Sequence, residues 1–536
     1  MLRLTEIKLD LHHDTAALRN AVLDLLRIND NELLSVTIRR RGNDARKKSL
    51  ISFVYTLDVE VSNEAALLKQ FGDDHRITPT PDEDYHYPQH FSAPPTLRPV
   101  VIGTGPCGLF AALSLARMGL KPLILERGKA VKPRTQDVWN FWRKEQFDPI
   151  SNVQFGEGGA GTFSDGKLYT GIKDREHRMR HILHDLVACG APEEILYISK
   201  PHIGTLRLVK VVENLRNQII AAGGEIRFET QVSDFVIEEG AIKALILADG
   251  EQIATNQVIL AVGHSARDTF EQLHARGVAI AQKAFSVGFR IEHPQTLIDA
   301  DRLGTYAGDP LLGAADYKLV HHCSNGRSVY SFCMCPGGQV VASSSEIGQV
   351  VTNGMSHYSR NERNANAGIV VDINPADFGS EHPLAGIALQ RQLEAQAFVL
   401  GGSNYHAPVQ LVGDFLSYRA STQLGSVIPS YTPGVTLTDL SPLLPEYVIS
   451  AIREALPVFD RTIKGFAMPD AVLTGVETRT SAPIRITRDS LSFQSINTQG
   501  LYPAGEGAGY AGGIISAAVD GMRVAEAVAV NIAANT

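Results

Sequence analysis

The stretch VVIGTGPCG at residues 100–108 decides the fold of this chain. Its apolar first half is typical of a buried strand, and residues 106–118 after it have the pattern of a helix. Between them, Gly103 permits a tight turn, Gly105 lets a phosphate approach the backbone, and Gly108 lets the helix pack closely against the strand. We therefore predict a Rossmann-type strand–turn–helix whose helix N-terminus holds a pyrophosphate.

A second apolar strand follows at residues 122–125 and ends at Glu126. A carboxylate at this place accepts hydrogen bonds from the hydroxyls of an adenosine ribose. It also argues against a bound NADP, whose 2′-phosphate it would repel. We predict that Glu126 and Arg127 bind the dinucleotide together with Pro106 and Cys107 of the turn. The alternative is a turn that serves packing alone.

Two later segments indicate which dinucleotide is bound. The strand VILAVG at residues 258–263 ends in small residues that pass close to a cofactor, namely Ala261, Val262 and Gly263. The segment LYPAGEGAGYAGGI at residues 501–514 offers Glu506 to the ribityl hydroxyls of a flavin. Its helix start suits the pyrimidine edge of a reduced flavin because a helix N-terminus is partly positive. A simple helix cap is the alternative for the residues predicted to take part there, which are Gly505, Gly512, Gly513 and Ile514.

A third segment, QFGEGGAGTFSDGKL at residues 154–168, lies between the first strand–turn–helix–strand and these two later segments. Its backbone N–H groups are suited to cradle anionic or carbonyl oxygens, although a glycine-rich surface loop is the alternative. We predict that it joins Val232 at the cofactor through Gly158, Gly159, Gly161, Thr162, Ser164, Asp165 and Lys167. Together the segments predict non-covalent FAD. No second GxGxxG occurs near residues 250–290, so NADH or NADPH is expected only as a transient electron donor.

These motifs resemble the FAD fold shared by fumarate reductase flavoproteins and aromatic hydroxylases. More closely, the chain resembles a bacterial family of largely uncharacterised FAD-dependent dehydrogenases. The matching signatures are RRRGNDARKK at residues 39–48, NVQFGEGGAGTFSDGKLYTG at 152–171, FCMCPGG at 332–338 and LYPAGEGAGYAGGIISAAVDG at 501–521. The resemblance implies FAD binding, an inserted substrate domain and dehydrogenase or reductase chemistry on an organic substrate, but it names no substrate. Cys107 stands where the usual turn has alanine, and its side chain is small enough to fit.

The order of the segments predicts an α/β fold with several domains. Residues 97–266 and 470–536 are expected to form a Rossmann-like FAD-binding domain, and residues 267–469 an inserted α+β substrate domain. Residues 1–75 contain segments with alternating apolar and polar side chains and segments with helical periodicity. They are expected to form a small N-terminal α/β (ferredoxin-like) module. The polar, proline-rich residues 76–96 are typical of a linker with few packed contacts.

The composition limits the classes of protein to which the chain can belong. With 536 residues and a net charge of −8, it is too long for one core and has no general attraction to nucleic acid or membranes. No apolar stretch reaches the ~20 residues of a membrane span, and no signal peptide is visible at the N-terminus. Five cysteines without zinc-type spacing fit reduced thiols and predict no metal. We expect a soluble cytoplasmic protein whose oligomeric state the sequence leaves open.

Four residues are candidates for catalysis. Lys167 ends the glycine-rich segment, where it can reach a flavin or form only a surface ion pair. Cys333 and Cys335 would face the same side of a strand ahead of a Pro-Gly-Gly turn, as substrate-lining or redox thiols, or as small buried apolar groups. Arg479 would suit an anionic substrate group. The pair His321 and His322 is more typical of structural histidines than of proton shuttles.

A basic cluster within residues 39–48 leaves a different function open. Its arginines and lysines, in what resembles a hairpin, could contact RNA and indicate an RNA-modifying flavoenzyme. A solvated charged hairpin is the simpler interpretation. A third possibility is an FAD-binding protein without catalytic activity.

Overall fold

The N-terminal module is built from strands with alternating apolar side chains and two helices. The computed structural model, which describes residues 1–535, gives them these bounds: β1 (Leu2–Asp10), α1 (Ala17–Leu26), β2 (Leu33–Asp44), β3 (Ser52–Val61), α2 (Glu64–Gln70) and β4 (Ile77–Pro79). The strands form one antiparallel sheet in the order β2–β3–β1–β4. This is the order of a ferredoxin-like βαββαβ fold, as predicted. Leu4, Leu57 and Val59 lie in its core.

The proline-rich segment after this module differs from the loose linker that we predicted. Tyr85 and Phe91 pack against the core of the Rossmann unit. The Tyr85 hydroxyl donates to Glu526 Oε1 at 2.6 Å, and the Phe91 N–H donates to the Met118 carbonyl at 2.8 Å. The prolines keep the backbone extended while the aromatic side chains between them supply apolar area to bury, so the segment is a packed strap.

The Rossmann unit begins with the predicted strand–turn–helix. Pro106 stands in the first turn of α3, where its missing N–H removes no helical hydrogen bond. The elements of this first part are β5 (Val100–Ile102), α3 (Pro106–Arg117), β6 (Leu123–Leu125), α4 (Val131–Lys144), α5 (Arg178–Ala188), α6 (Thr205–Ala221), β7 (Glu225–Arg227), β8 (Val232–Glu238), β9 (Ala241–Leu247), β10 (Gln252–Ala254), β11 (Val258–Leu260), α7 (Arg267–Ala275) and β12 (Ile280–Gln282). Strands β8, β9 and β10 form a separate antiparallel sheet, with a hairpin between β9 and β10.

An inserted unit follows, with one large sheet covered by helices. Its elements are β13 (Phe285–Pro294), α8 (Gln295–Leu303), β14 (Val320–His322), β15 (Ser328–Ala342), β16 (Thr352–Ser356), β17 (Asn364–Ile373), α9 (Ala385–Leu400), β18 (Ala407–Leu411), α10 (Val412–Leu416), β19 (Val435–Leu437), α11 (Glu446–Thr462) and β20 (Val472–Glu477). The sheet order is β14–β15–β17–β13–β20–β18–β19, with β16 beside β15. Because β20 pairs with β13 and β18, the inserted unit ends later than the predicted boundary at 469. It also starts at β13, later than the predicted boundary at 267.

The chain then returns to the Rossmann unit through β21 (Ile484–Ile486), β22 (Leu501–Pro503) and α12 (Ile514–Ala534). The parallel sheet has the order β22–β11–β5–β6–β7. Strand β22 is thus separated from β11 by the inserted unit in sequence but pairs with it in space. Helices α3 and α12 pack together on one face, where a side chain on Gly521 would collide with the Cys107 carbonyl. This architecture confirms the predicted α/β class and brings the glycine-containing turns together.

Candidate active site

One cavity of about 840 Å³ lies between the parallel sheet and the inserted unit. We call its first side the glycine wall, formed by the turn after β5, the turn after β11 and the start of α12 (residues 103–107, 261–263 and 512–514). We call its second side the charged wall, formed by Asp165, Lys167, residues 331–334 of β15 and Arg479. The cavity therefore has one side rich in glycine and one side rich in ionisable side chains.

The three glycines of the turn after β5 have different surroundings. A Cβ on Gly103, whose φ is +99°, would lie 2.4 Å from the Ala261 carbonyl oxygen, and one on Gly108 would lie 1.9 Å from the Gly103 oxygen. Both positions therefore exclude any side chain. Gly105 is open by contrast, because the nearest atom to its Cβ position is the Gly159 Cα at 3.8 Å. Its missing side chain leaves space on the cavity side.

Glu126 lines the cavity at the end of β6, but the protein itself already engages its carboxylate. Oε2 accepts the Thr104 N–H at 3.0 Å and the Thr104 hydroxyl at 2.6 Å. Oε1 accepts the N–H groups of Gly128 at 2.8 Å and Gly156 at 3.0 Å. The observed role of Glu126 is therefore to join the turn after β5 to the glycine-rich loop, and its bond to a ribose stays a prediction.

Arg134 of α4 organises the glycine-rich loop (residues 154–168), and the sequence analysis missed it. The buried guanidinium donates to five carbonyl oxygens at 2.6–3.1 Å, those of Asn152, Val153, Gly156, Glu157 and Gly159. Burial lowers the pKa of Arg134 to about 10, while Glu126 and Glu157 favour its charge. An arginine in a polar helix has no local signal that distinguishes it from a surface residue. Only the fold brings the loop around it.

The structure brings most of the predicted cofactor residues together around the cavity. Those that line it are Gly103, Gly105, Pro106, Cys107, Glu126, Arg127, Gly159, Gly161, Ser164, Asp165, Lys167, Val232, Ala261, Val262, Gly263, Glu506, Gly512, Gly513 and Ile514. Four others lie behind the lining, namely Gly108, Gly158, Thr162 and Gly505. Their places serve packing: a Cβ on Gly158 would lie 2.1 Å from Thr162 Oγ1, and one on Gly505 would lie 2.9 Å from Cys107 Cβ.

Lys167 belongs to a buried ion cluster rather than to a surface pair. Its ammonium contacts the Met334 carbonyl and lies 3.4 Å from Asp165 Oδ2. Asp165 also accepts two hydrogen bonds from Arg360, at 3.0 and 2.5 Å. Burial opposes the lysine charge, but nearby Cys335, Cys333 and Asp165 raise the pKa of Lys167 above its usual value. The lysine is therefore a fixed cation on the charged wall.

Cys333 and Cys335 lie in an irregular part of β15 rather than in the regular strand that we predicted, and they differ in exposure. The pairing of β15 with β17 shifts register between Phe332 and Cys335 and again between Cys335 and Gly338, so the alternation of a regular strand is broken. The predicted Pro-Gly-Gly turn therefore lies inside a bulged strand. Cys333 has a left-handed φ of 43° and lines the cavity. Cys335 is fully buried, and its thiol donates to the Cys333 carbonyl at 3.3 Å.

Arg479 lines the cavity as predicted, but an acid of the inserted unit neutralises it. Its guanidinium donates to both Glu394 oxygens at 3.1 and 2.8 Å, and Arg267 donates to the same carboxylate at 2.8 and 3.0 Å. Burial alone would raise the pKa of Glu394, but the two arginines lower it to about 2. Because Arg267 belongs to α7 and Glu394 to α9, this ion cluster connects the two units.

Glu506 lines the cavity beyond the end of β22. Burial raises its pKa to about 7, against the opposing effect of Lys283. The carboxyl group therefore changes its charge near neutral pH. Burial also lowers the pKa of Lys283, and the nearby Arg485 lowers it further.

The basic N-terminal hairpin is partly neutralised within the protein. Arg39 is paired with Glu83, and Arg46 donates to Asp44 at 2.8 and 2.6 Å. Lys48 lies 3.6 Å from Asp301 of the inserted unit. The cluster that the sequence presents as one positive patch is therefore divided among several acidic partners. His321 likewise contacts Glu454, at 3.0 Å, and lies outside the cavity lining.

Comparison with known protein families indicates the class to which this protein belongs. Residues 284–480 match the model of a family described as "FAD-dependent protein, C-terminal domain-like", and residues 1–60 match a domain of unknown function. The first match covers most of the inserted unit. Together with the Rossmann-type fold, it confirms the prediction of an FAD-binding flavoprotein.

An uncharacterized protein of Clostridium beijerinckii is 47% identical to this chain over 526 residues, covering 98% of each. The chain belongs to the same family as this protein, a family of uncharacterised FAD-dependent proteins. Among residues 1–535, no helix combines the length and apolar character that a membrane span requires.

Solved structures that are similar to this chain have low sequence identity and low TM-scores. A geranylgeranyl bacteriochlorophyll reductase-like protein of Thermoplasma acidophilum is 13% identical, with a TM-score of 0.35, over 83% of this chain and 80% of that one. The glycerol-3-phosphate dehydrogenase of Bacillus halodurans, complexed with FAD, is 12% identical, with a TM-score of 0.36, over 82% of this chain and 65% of that one. Likenesses at this level carry no argument about the reaction of this chain.

Proposed function

We propose that this protein is an FAD-dependent oxidoreductase that transfers hydride between the flavin and an organic substrate held against the inserted unit. The observation that supports this proposal is the single cavity with two unlike sides. Its glycine wall is suited to a dinucleotide, and its charged wall holds ionisable groups that a mere binding protein does not need. Both the hydride transfer and the organic substrate are part of this proposal.

The residues around the cavity fit FAD. A Cβ built on Gly263 or Gly512 meets nothing within 4 Å, so both glycines leave open space along the glycine wall. The turn after β5 leads into the N-terminus of α3, which favours the negative pyrophosphate. The volume of about 840 Å³ is in the range of cavities that enclose large ligands. We infer that the phosphates lie at Gly105 and the ring system lies toward Lys167 and Glu506.

Bound FAD would supply the capacity to accept or donate two electrons. The chain's own residues would orient the substrate and control protons around it. Lys167 is held in place by Asp165 and the Met334 carbonyl, so its charge stays fixed in the site. Arg479 is immobilised by Glu394, which makes it a rigid part of the wall rather than a free anion receptor.

An anaerobic reduction screen tests this proposal. Purified protein is mixed with NADH, NADPH or a panel of metabolites, and the loss of the oxidised flavin absorbance is followed in a stopped-flow instrument. We expect at least one nicotinamide donor or metabolite to bleach the flavin much faster than it bleaches free FAD. A yellow protein that no compound reduces faster than free FAD would contradict an enzymatic role and favour an FAD-binding protein without activity.

A further inference from the structure

The charged wall contains a buried excess of positive charge. Lys167 and Arg360 share the single carboxylate of Asp165, which is 1% exposed. Arg290 on the other side is already balanced, because it donates to both Glu477 oxygens at 3.0 and 2.7 Å. Since an uncompensated charge inside a protein is costly, one more anion is expected beside Lys167.

Cys333 is placed to supply that anion. The Lys167 ammonium is bonded to the carbonyl of the next residue, Met334, while Arg290 donates to the Cys333 carbonyl itself at 3.1 Å. A left-handed φ of 43° is unfavourable for a residue with a side chain. The surroundings hold Cys333 in this conformation, and the residue lines the cavity. Strained backbone of this kind clusters at active sites and ligand clamps.

We propose that Cys333 is a thiolate paired with Lys167 and that it takes the proton of the substrate during oxidation. This inference rests on the proposed function. In the step, Cys333 Sγ takes the X–H proton of a substrate with H–C–X–H, and bound FAD would be the oxidant that accepts the C–H hydride. The C=X bond forms, and the neutral thiol later returns its proton to water. Lys167 is a positioning residue that stabilises the thiolate.

The ionisable groups around Cys333 agree with this assignment. They come from four parts of the chain and comprise Lys167 and Asp165 of the glycine-rich loop, Arg290 of β13, Cys335 of β15 and Glu506 after β22. The pKa of the Cys333 thiol is held well below its usual value, first by hydrogen bonding with Cys335 and then by Lys167 and Arg290, although burial opposes this. A Cys333 thiolate in turn disfavours the charge of Glu506.

Site-resolved alkylation tests the thiolate without knowledge of the substrate. The FAD-containing protein is pulsed with iodoacetamide over a range of pH, and each of the five cysteines is quantified by mass spectrometry. The four buried cysteines, Cys107, Cys189, Cys323 and Cys335, are internal references. We expect Cys333 to react at least tenfold faster than these at pH 7, with a midpoint more than one pH unit below the ~8.5 of a free thiol. A midpoint at or above pH 8.5, or no reaction of Cys333 up to pH 10, would overturn the proposal.

Matched lysine variants test the ion pair. Lys167→Met should move the Cys333 midpoint upward by at least one pH unit, and Lys167→Arg should restore most of the shift. Lys200→Met removes a lysine that also lines the cavity but is paired with Asp316, so it should leave the midpoint unchanged. An equal midpoint in all three variants would show that Lys167 does not hold a thiolate.

The failure of this inference is distinguishable from that of the proposed function. Suppose that a substrate reduces the yellow protein but that Cys333 titrates like a free thiol. The proposed oxidoreductase function would then stand, and only the proposed thiolate would be contradicted. If no compound reduces the protein, the proposed function is contradicted, whatever the result of the alkylation experiment. Once a substrate is found, Cys333→Ser should lower kcat at least tenfold and displace the acidic limb of its pH profile, with KM changed little.

Discussion

The two walls of the cavity are built by different means. The glycine wall consists of turns that directly follow β5 and β11 and the start of α12, and it is rich in glycine. The charged wall is made by side chains that meet from distant positions, such as Asp165 with Arg360 and Arg479 with Glu394. On the proposed function, the glycine wall would hold the cofactor and the charged wall would contact the substrate.

The largest expected effect comes from Arg134, which supports the glycine-rich loop from behind. Arg134→Met keeps the volume but leaves five buried carbonyl groups without their donor. We expect the free energy of unfolding to fall by about 4 to 5 kcal/mol, with loss of most of the FAD. Urea denaturation and flavin quantification measure the two effects. Arg143→Met changes an exposed arginine of the same helix and should leave both unchanged.

Breaking the charged wall should lower the free energy of unfolding somewhat less than Arg134→Met does. Glu394→Ala leaves Arg267 and Arg479 buried without their shared carboxylate. The unfolding free energy should fall by about 3 to 4 kcal/mol, because unpaired buried charges are strongly destabilising. Urea denaturation of this variant and of the exposed control Glu381→Ala gives the comparison. Equal stability of the two variants would mean that the ion cluster does not hold the two units together.

A smaller effect concerns Glu506, whose pKa is raised to about 7 by burial. The folded protein therefore binds the proton more tightly than the unfolded chain, so this group makes stability fall as pH rises from about 4.5 to 7. Its contribution to the unfolding free energy changes by no more than about 3 kcal/mol over this interval. Glu506→Gln should flatten the curve of stability against pH in that window. A curve identical to that of the parent protein would argue against the raised pKa.

The smallest effect is expected at the N-terminal hairpin. Arg40 and Lys47 are exposed, while the neighbouring Arg39 and Arg46 are paired with acids. The double variant Arg40→Ala, Lys47→Ala should change stability by less than about 0.5 kcal/mol. We also expect no salt-sensitive RNA binding by the parent protein in a filter-binding titration. Binding that weakens steeply with salt and is reduced in the variant would instead favour an RNA-modifying flavoenzyme.

The sequence predicts the glycine wall well because its signals are local. The turn at Gly103, Gly105 and Gly108 needs its residues at fixed spacing directly after a strand, and the same holds for the turn after β11. The ferredoxin-like module also follows from local alternation and helix patterns. These predictions depend on residues that lie close together in the sequence, so one sequence is enough to make them.

The charged wall could not be predicted in the same way. Arg360, Glu394 and Arg134 are separated by tens to hundreds of residues from the groups that they contact. The different exposure of Cys333 and Cys335 accompanies register shifts in the pairing of β15 with β17. The boundaries of the inserted unit depend on the pairing of β20 with β13. Each of these features is set by long-range pairing, for which one sequence carries no local signal.

The most direct test of the central claim is the FAD content of two glycine variants. Gly105→Val places a side chain into the open space of the glycine wall, whereas Gly171→Val places the same side chain where nothing lies within 4 Å, outside the cavity lining. Both proteins are purified alike, and their FAD is released and quantified against protein. We predict one FAD per chain in Gly171→Val and almost none in a folded Gly105→Val. A Gly105→Val protein that retains a full equivalent of FAD would contradict the assignment of the site.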